Sequence, residues 1–91
     1  MNKPYVITYD LSEKNQDKYE ELFDAIKSFG AYCKIQKSVW LVKSSFSPTQ
    51  MYDKIVASIG SEDYIFISEI SNNFYGWAHE DHWAFIKEHI Y

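Results

Sequence analysis

The chain opens with a run in which apolar residues crowd without a helical period: Tyr5, Val6, Ile7, Thr8 and Tyr9, bounded by Pro4 on one side and by Asp10 and a polar stretch on the other. β-Branched and aromatic side chains in a short bounded run predict a strand, and apolar residues at odd and even positions alike predict a central one. The pattern then changes. Tyr19, Leu22, Phe23 and Ile26 recur at i, i+3, i+4 and i+7 with acids and lysines between them, the stripe of an amphipathic helix, and Gly30 stands where that helix would stop. Two further strand-like runs, Ala31 to Gln36 and Val39 to Lys43, are separated by the pair Lys37-Ser38, a hairpin spacing. Ser47, Pro48 and Gln50 then announce a second helix, with a capping box and a proline at the first helical position, and Met51, Ile55 and Ile59 give it one apolar stripe as far as Gly60. Asp63 to Ile70 predicts a fourth strand, followed by the aromatic loop SNNFYGW. A last helix is predicted over about Glu80 to His89, with Trp83, Ile86 and Ile90 facing inward.

Strand, helix, strand, strand, helix, strand is the split β-α-β order of a ferredoxin-like α+β domain. Right-handed crossovers place both main helices on one face of a four-stranded antiparallel sheet, and the C-terminal helix is extra. A chain of 91 residues leaves room for a single domain, residues 1–91. Tyr5, Ile7 and Tyr9 alternate with Val6 and Thr8, and Trp40 and Val42 alternate with Val39 and Leu41, so both sheet faces carry apolar side chains. Little chain remains to cover the second face. The expectation is therefore a homodimer, through the open sheet face or through the last strand and the C-terminal helix.

Three Trp, eight Tyr and six Phe in so short a chain suit either a small core or an interface, and composition does not choose between them. A formal charge of −4 argues against broad, charge-driven binding of nucleic acid. Lys34, Lys37 and Lys43 form a local basic strip whose ordinary reading is a solvated hairpin edge. The single cysteine, Cys33, excludes an intrachain disulfide and the paired-cysteine zinc patterns, and its ordinary role is packing. The N-terminal residues contain no apolar stretch long enough for a signal peptide or a membrane span, which predicts a cytoplasmic protein with no membrane partner.

Candidate chemistry is sparse. No Ser-His-Asp pattern, phosphate-cradling glycine loop or dinucleotide fingerprint occurs. His79-Glu80-Asp81-His82 lacks the spacing of a zinc protease motif, and its two acids suit the first turn of the last helix. His82, Phe85 and His89 form a second stripe on that helix, facing either a partner chain or the protein's own sheet. Phe74, Tyr75 and Trp77, together with Trp40, either cover the sheet or present an aromatic platform to a base or a protein partner. Asp10 either ends its strand as a turn residue or holds a metal ion or ligand.

Two stretches resemble a known family. A strand ending in Tyr9-Asp10, and later Gln36, Ser38, Val39 and Trp40, are similar to the small CRISPR-associated endonucleases of spacer acquisition. The segment AIKSFGAYCKIQKSVWLV and the ending Gly76, Trp77, Trp83, Phe85, Ile86 and Lys87 resemble a SinR-like branch of the same superfamily. The resemblance implies a ferredoxin-like fold and, in its nuclease members, a strand-end aspartate from each chain holding a divalent metal near the dimer two-fold, a role that falls on Asp10. Mg²⁺ takes hard oxygen ligands, commonly one or two carboxylates plus water and phosphate. Two functions follow. The first is a non-catalytic dimeric binding protein with no cofactor, acting in phage-host defence, which takes a protein or nucleotide-type ligand on Trp40, Phe74, Tyr75, Trp77, His82 and Phe85. The alternative is a Mg²⁺-dependent endonuclease for RNA or DNA, with Asp10 as catalytic metal ligand and Lys34 or Lys37 against the phosphate. The neutral-to-acidic first helix favours binding, and the Tyr-Asp motif favours catalysis.

Overall fold

A computed structural model describes residues 2–11, 19–59, 63–72, 76 and 79–91. The opening run forms β1 (Lys3–Asp10), followed by α1 (Tyr19–Lys27), the hairpin β2 (Gly30–Gln36) and β3 (Val39–Ser44), α2 (Pro48–Ile55), β4 (Tyr64–Glu69) and α3 (Glu80–Phe85). A short 3₁₀ turn, Val56–Ser58, extends α2, and a π-helical turn, Ile86–Ile90, extends α3. The sheet is antiparallel throughout in the order β2-β3-β1-β4. β1 is an inner strand, as its two-sided apolar pattern predicts, and the ferredoxin-like α+β topology with an extra C-terminal helix is the observed one.

Register assigns the faces. Tyr5 lies opposite Val42 and Glu69, Ile7 opposite Trp40 and Ile67, and Tyr9 opposite Ile65. These side chains share one face, which α1 covers with Leu22 and Ile26 and α2 with Met51 and Ile55, all four fully buried. Each such aliphatic side chain contributes about 1.5–3 kcal/mol relative to an exposed one. The amphipathic stripes read from the sequence are thus the core. The α2 cap also forms as its sequence predicts: the Ser47 hydroxyl accepts from the Gln50 N–H at 3.2 Å, and the Gln50 side chain accepts from the Ser47 N–H at 2.8 Å.

Gly30 differs from its expectation. The helix ends at Lys27, and Gly30 is instead the first residue of β2, with φ +147°. A Cβ there would run into the Lys43 carbonyl on the neighbouring strand, so the close approach of β2 and β3 depends on a residue without one.

The second sheet face departs more sharply from the sequence reading. The C-terminal helix lies across β2 and β3 and buries Ile86 and Ile90 against Leu41, with Val6, Ile35, Ile70 and Phe85 around them. The chain therefore covers half of that face itself, and a second copy is not needed there. The covering stops short of β4, where Tyr64 and Phe66, 73% and 66% exposed, share the bare half-face with Thr8 and Asp10.

Candidate functional site

Trp40 was expected at a partner surface, but it lies in the core at 2% exposure. Its position on β3 opposite Ile7 aims it at the helices, where its ring meets Phe23 at 5.3 Å between centroids, and its indole N–H donates to the Tyr9 hydroxyl at 3.1 Å. That hydroxyl in turn donates to the Lys37 carbonyl at 3.1 Å, and the Tyr9 N–H donates to the Ser38 carbonyl. The hairpin turn is thereby tied to the end of β1, which brings Lys37 and Asp10 to the same end of the sheet. Burial pushes the Tyr9 phenol above its ordinary pKa, an effect that the Trp40 N–H partly offsets by favouring the phenolate.

Four of the residues singled out in the sequence meet in one place. Lys34, Trp40, His82 and Phe85 line a cleft of about 340 Å³ that wraps round the β2 edge, together with Tyr32, Cys33 and Asp81. The strand register explains the meeting. Lys34 and Tyr32 project on the helix side, where the Lys34 ammonium sits 4.3 Å over the Phe23 ring and the Tyr32 ring lies 5.8 Å from Trp40. His82 and Phe85 arrive from α3 on the other side, with Phe85 4.6 Å from the His89 ring. The cleft thus offers aromatic walls, a buried indole floor and the polar side chains of Lys34, Asp81 and His82. Cys33, buried beside them, has its thiol pKa raised by desolvation, which disfavours the reactive thiolate.

His79 takes a structural role at the start of α3. His79 caps α3, its Nδ1 accepting from the Asp81 N–H at 3.3 Å, and Glu80 and Asp81 occupy the first turn. Phe74, Tyr75 and Trp77 lie outside the described residues. Asp10 is exposed at the end of β1, directly opposite Tyr64. It lines a second concavity of about 380 Å³, as open as the first, with Thr8, Tyr9, Tyr64, Ile65 and Phe66. Among the described residues, no group of three or more His, Cys, Asp and Glu side chains is placed to hold a metal ion within one chain.

No family model matches the sequence, and no curated protein matches it. Solved structures do. A hypothetical protein from Thermus thermophilus superposes with a TM-score of 0.64 at 16% identity, over 87% of this chain and 96% of that one. A Cas2 crystal structure superposes with a TM-score of 0.57 at 14% identity, over 88% and 93%. The likeness is one of fold: this chain shares the ferredoxin-like arrangement of these structures. Identities this low show the fold alone. No helix among the described residues is long and apolar enough to cross a membrane.

Sequence reasoning did not single out Tyr32 and Asp81 as cleft residues, nor Tyr64 and Phe66 as the exposed pair on β4. The run Tyr64-Ile65-Phe66-Ile67 carried the available signal, since large apolar residues at consecutive positions must point to both faces of a strand.

Proposed function

We propose that this chain is a dimeric, non-catalytic binding protein that takes a nucleotide-type ligand in the cleft at the β2 edge. The observation that carries this reading is the convergence of Lys34, His82 and Phe85 around Trp40. Tyr32 and Phe85 offer ring faces on which a base can stack, an interaction of about 1–3 kcal/mol per base. The Lys34 ammonium offers a charge to a phosphate. Its present contact with the Phe23 ring is of a kind that contributes about 0.5–1 kcal/mol at exposed sites, so a stronger anionic partner displaces it. The overall charge of −4 limits the electrostatic reach of the site, which favours a small ligand or a short strand over a long duplex.

Isothermal titration with nucleoside mono- and diphosphates and short single-stranded oligonucleotides tests the reading. Saturable binding weakened about tenfold by Tyr32→Ala and by Lys34→Gln is expected, each loss matching about 1.4 kcal/mol. Absence of saturable binding by the folded wild type overturns it. The competing reading, a Mg²⁺-dependent endonuclease using Asp10, draws on the placement of Lys37 and Asp10 at the same end of the sheet. Cleavage in Mg²⁺ that disappears in Asp10→Ala would replace the binding reading with that one.

A further inference from the structure

Among the described residues β4 is an edge strand, paired only with β1, and its side chains do not protect its outer edge. Natural sheets blunt their edges with lysine, proline, bulges or a covering helix. None of these interrupts Tyr64-Ile65-Phe66-Ile67, and the register with β1 runs without a shift from Tyr64 to Glu69. Exposed apolar residues lie around this edge on both faces: Tyr64 and Phe66 on one, Tyr52 of α2 on the other.

The hydrogen-bonding groups that face outward can be identified. The Ile70 N–H donates to the Pro4 carbonyl across the β1–β4 ladder at 3.0 Å. Hydrogen-bonded and non-hydrogen-bonded pairs alternate in an antiparallel ladder, so Ser68, Phe66 and Tyr64 also turn their backbone groups toward β1. Ile65 and Ile67 turn theirs toward the free edge. The sequence is symmetric about Phe66, with Ile65 on one side and Ile67 on the other.

From this we infer that a second copy of the chain pairs with β4 edge to edge, antiparallel, about a two-fold axis through Phe66. In this register Ile65 exchanges both backbone bonds with the partner's Ile67, and Ile67 with the partner's Ile65. Phe66 meets the partner's Phe66 at a non-hydrogen-bonded position, where facing side chains come closest. Because the axis stands perpendicular to the sheet, the bare half-faces of the two copies lie side by side. The two four-stranded sheets become one, and the exposed phenylalanine of each copy is covered by its twin.

The pairing has consequences for both readings of function. The β2 edge lies at the opposite side of each sheet from β4, so each copy keeps its own cleft open at an outer end of the joined sheet. Asp10 sits one strand in from the edge and two residues along from Phe66. With strands about 4.8 Å apart and a rise of about 3.4 Å per residue, the two Asp10 residues then stand about 20 Å apart. Carboxylates at that separation share no metal ion, whose oxygen ligands lie at about 2.1 Å for Mg²⁺. The inference rests on the dimer of the proposed function and is independent of its ligand.

A charge-swap experiment tests this register. Phe66 is exposed, so Phe66→Glu and Phe66→Lys leave the fold intact by circular dichroism. In sedimentation at about 100 μM the wild type is a dimer, and each variant alone is a monomer because it places like charges against each other on the axis. An equal mixture of the two variants restores the dimer. A monomeric wild type, variants that remain dimeric, or a folded mixture that stays monomeric overturns the inference. As an independent measurement, oxidised Phe66→Cys runs as a disulfide-linked dimer, since facing residues at such positions lie within disulfide reach; failure to cross-link counts against this register. Ligand titration of the two charge variants separates this result from the cleft reading: monomers that still bind leave the cleft intact, and dimers that bind nothing leave the pairing intact.

Discussion

The two edges of the sheet are built by opposite rules. The β2 edge carries Lys34, breaks its register with a bulge between Lys34 and Gln36, and is overlaid by the C-terminal helix. The β4 edge has no lysine or bulge, and the helix stops short of it. Each device at β2 lowers the chance that another strand adds there. Their absence at β4 leaves an apolar strand with outward-facing backbone groups. One edge is covered within the chain and shaped into a cleft, and the other carries no such device among the described residues.

The largest expected effect breaks the finished edge. Ile90 is fully buried between the π-helical turn and the sheet, so Ile90→Ala should cost about 2–5 kcal/mol and loosen the helix from β2 and β3. Urea denaturation measures the loss, and a cost below 1 kcal/mol would mean that the helix does not fasten this edge. Hydrogen exchange in β2 should rise more than in β4.

A smaller effect concerns the turn that closes the β2 hairpin. Tyr9→Phe removes the bond to the Lys37 carbonyl and leaves the buried Trp40 N–H without its acceptor, at a cost of about 1–3 kcal/mol. It also changes the alkaline limb of stability. The folded phenol has its pKa raised, chiefly by burial, so its contribution is fully present below its unfolded value of 10.0 and is lost as pH rises through the folded value. Wild-type stability should therefore fall more steeply above pH 10 than that of Tyr9→Phe. Parallel pH profiles would remove Tyr9 from that account.

The smallest effect belongs to the bare edge. Phe66→Thr keeps a strand-favouring residue at an exposed position, so monomer stability measured near 1 μM should change by no more than about 0.5 kcal/mol. A cost above 2 kcal/mol would mean that Phe66 is packed within its own chain, and the contrast between the edges would fail.

The fold was legible because its signals are local. The Ser47–Gln50 capping box, the stripes of α1 and α2 and the two-sided pattern of β1 each lie within a few residues, and each predicts its element correctly. The cleft was legible only as a set of suspects. Lys34, Trp40, His82 and Phe85 all stood out, but Trp40 was expected at the surface, because a strand with apolar residues on both parities does not reveal which parity faces the helices. Asp10 was correctly placed at the end of an inner strand, and its distance from its twin depends on an interface that local pattern does not encode.

By itself the sequence determined the order of elements, the core-facing stripes of α1 and α2 and the position of Asp10, because backbone preference and side-chain period act over short stretches of chain. Tertiary structure alone decided that the C-terminal helix covers β2 and β3 and leaves β4 bare. That choice depends on where the last turn of chain finds apolar surface after the sheet has assembled, and the contact between Ile86, Ile90 and Leu41 joins residues more than forty positions apart. From that contact follow both the cleft at one edge and the exposure of Tyr64 and Phe66 at the other.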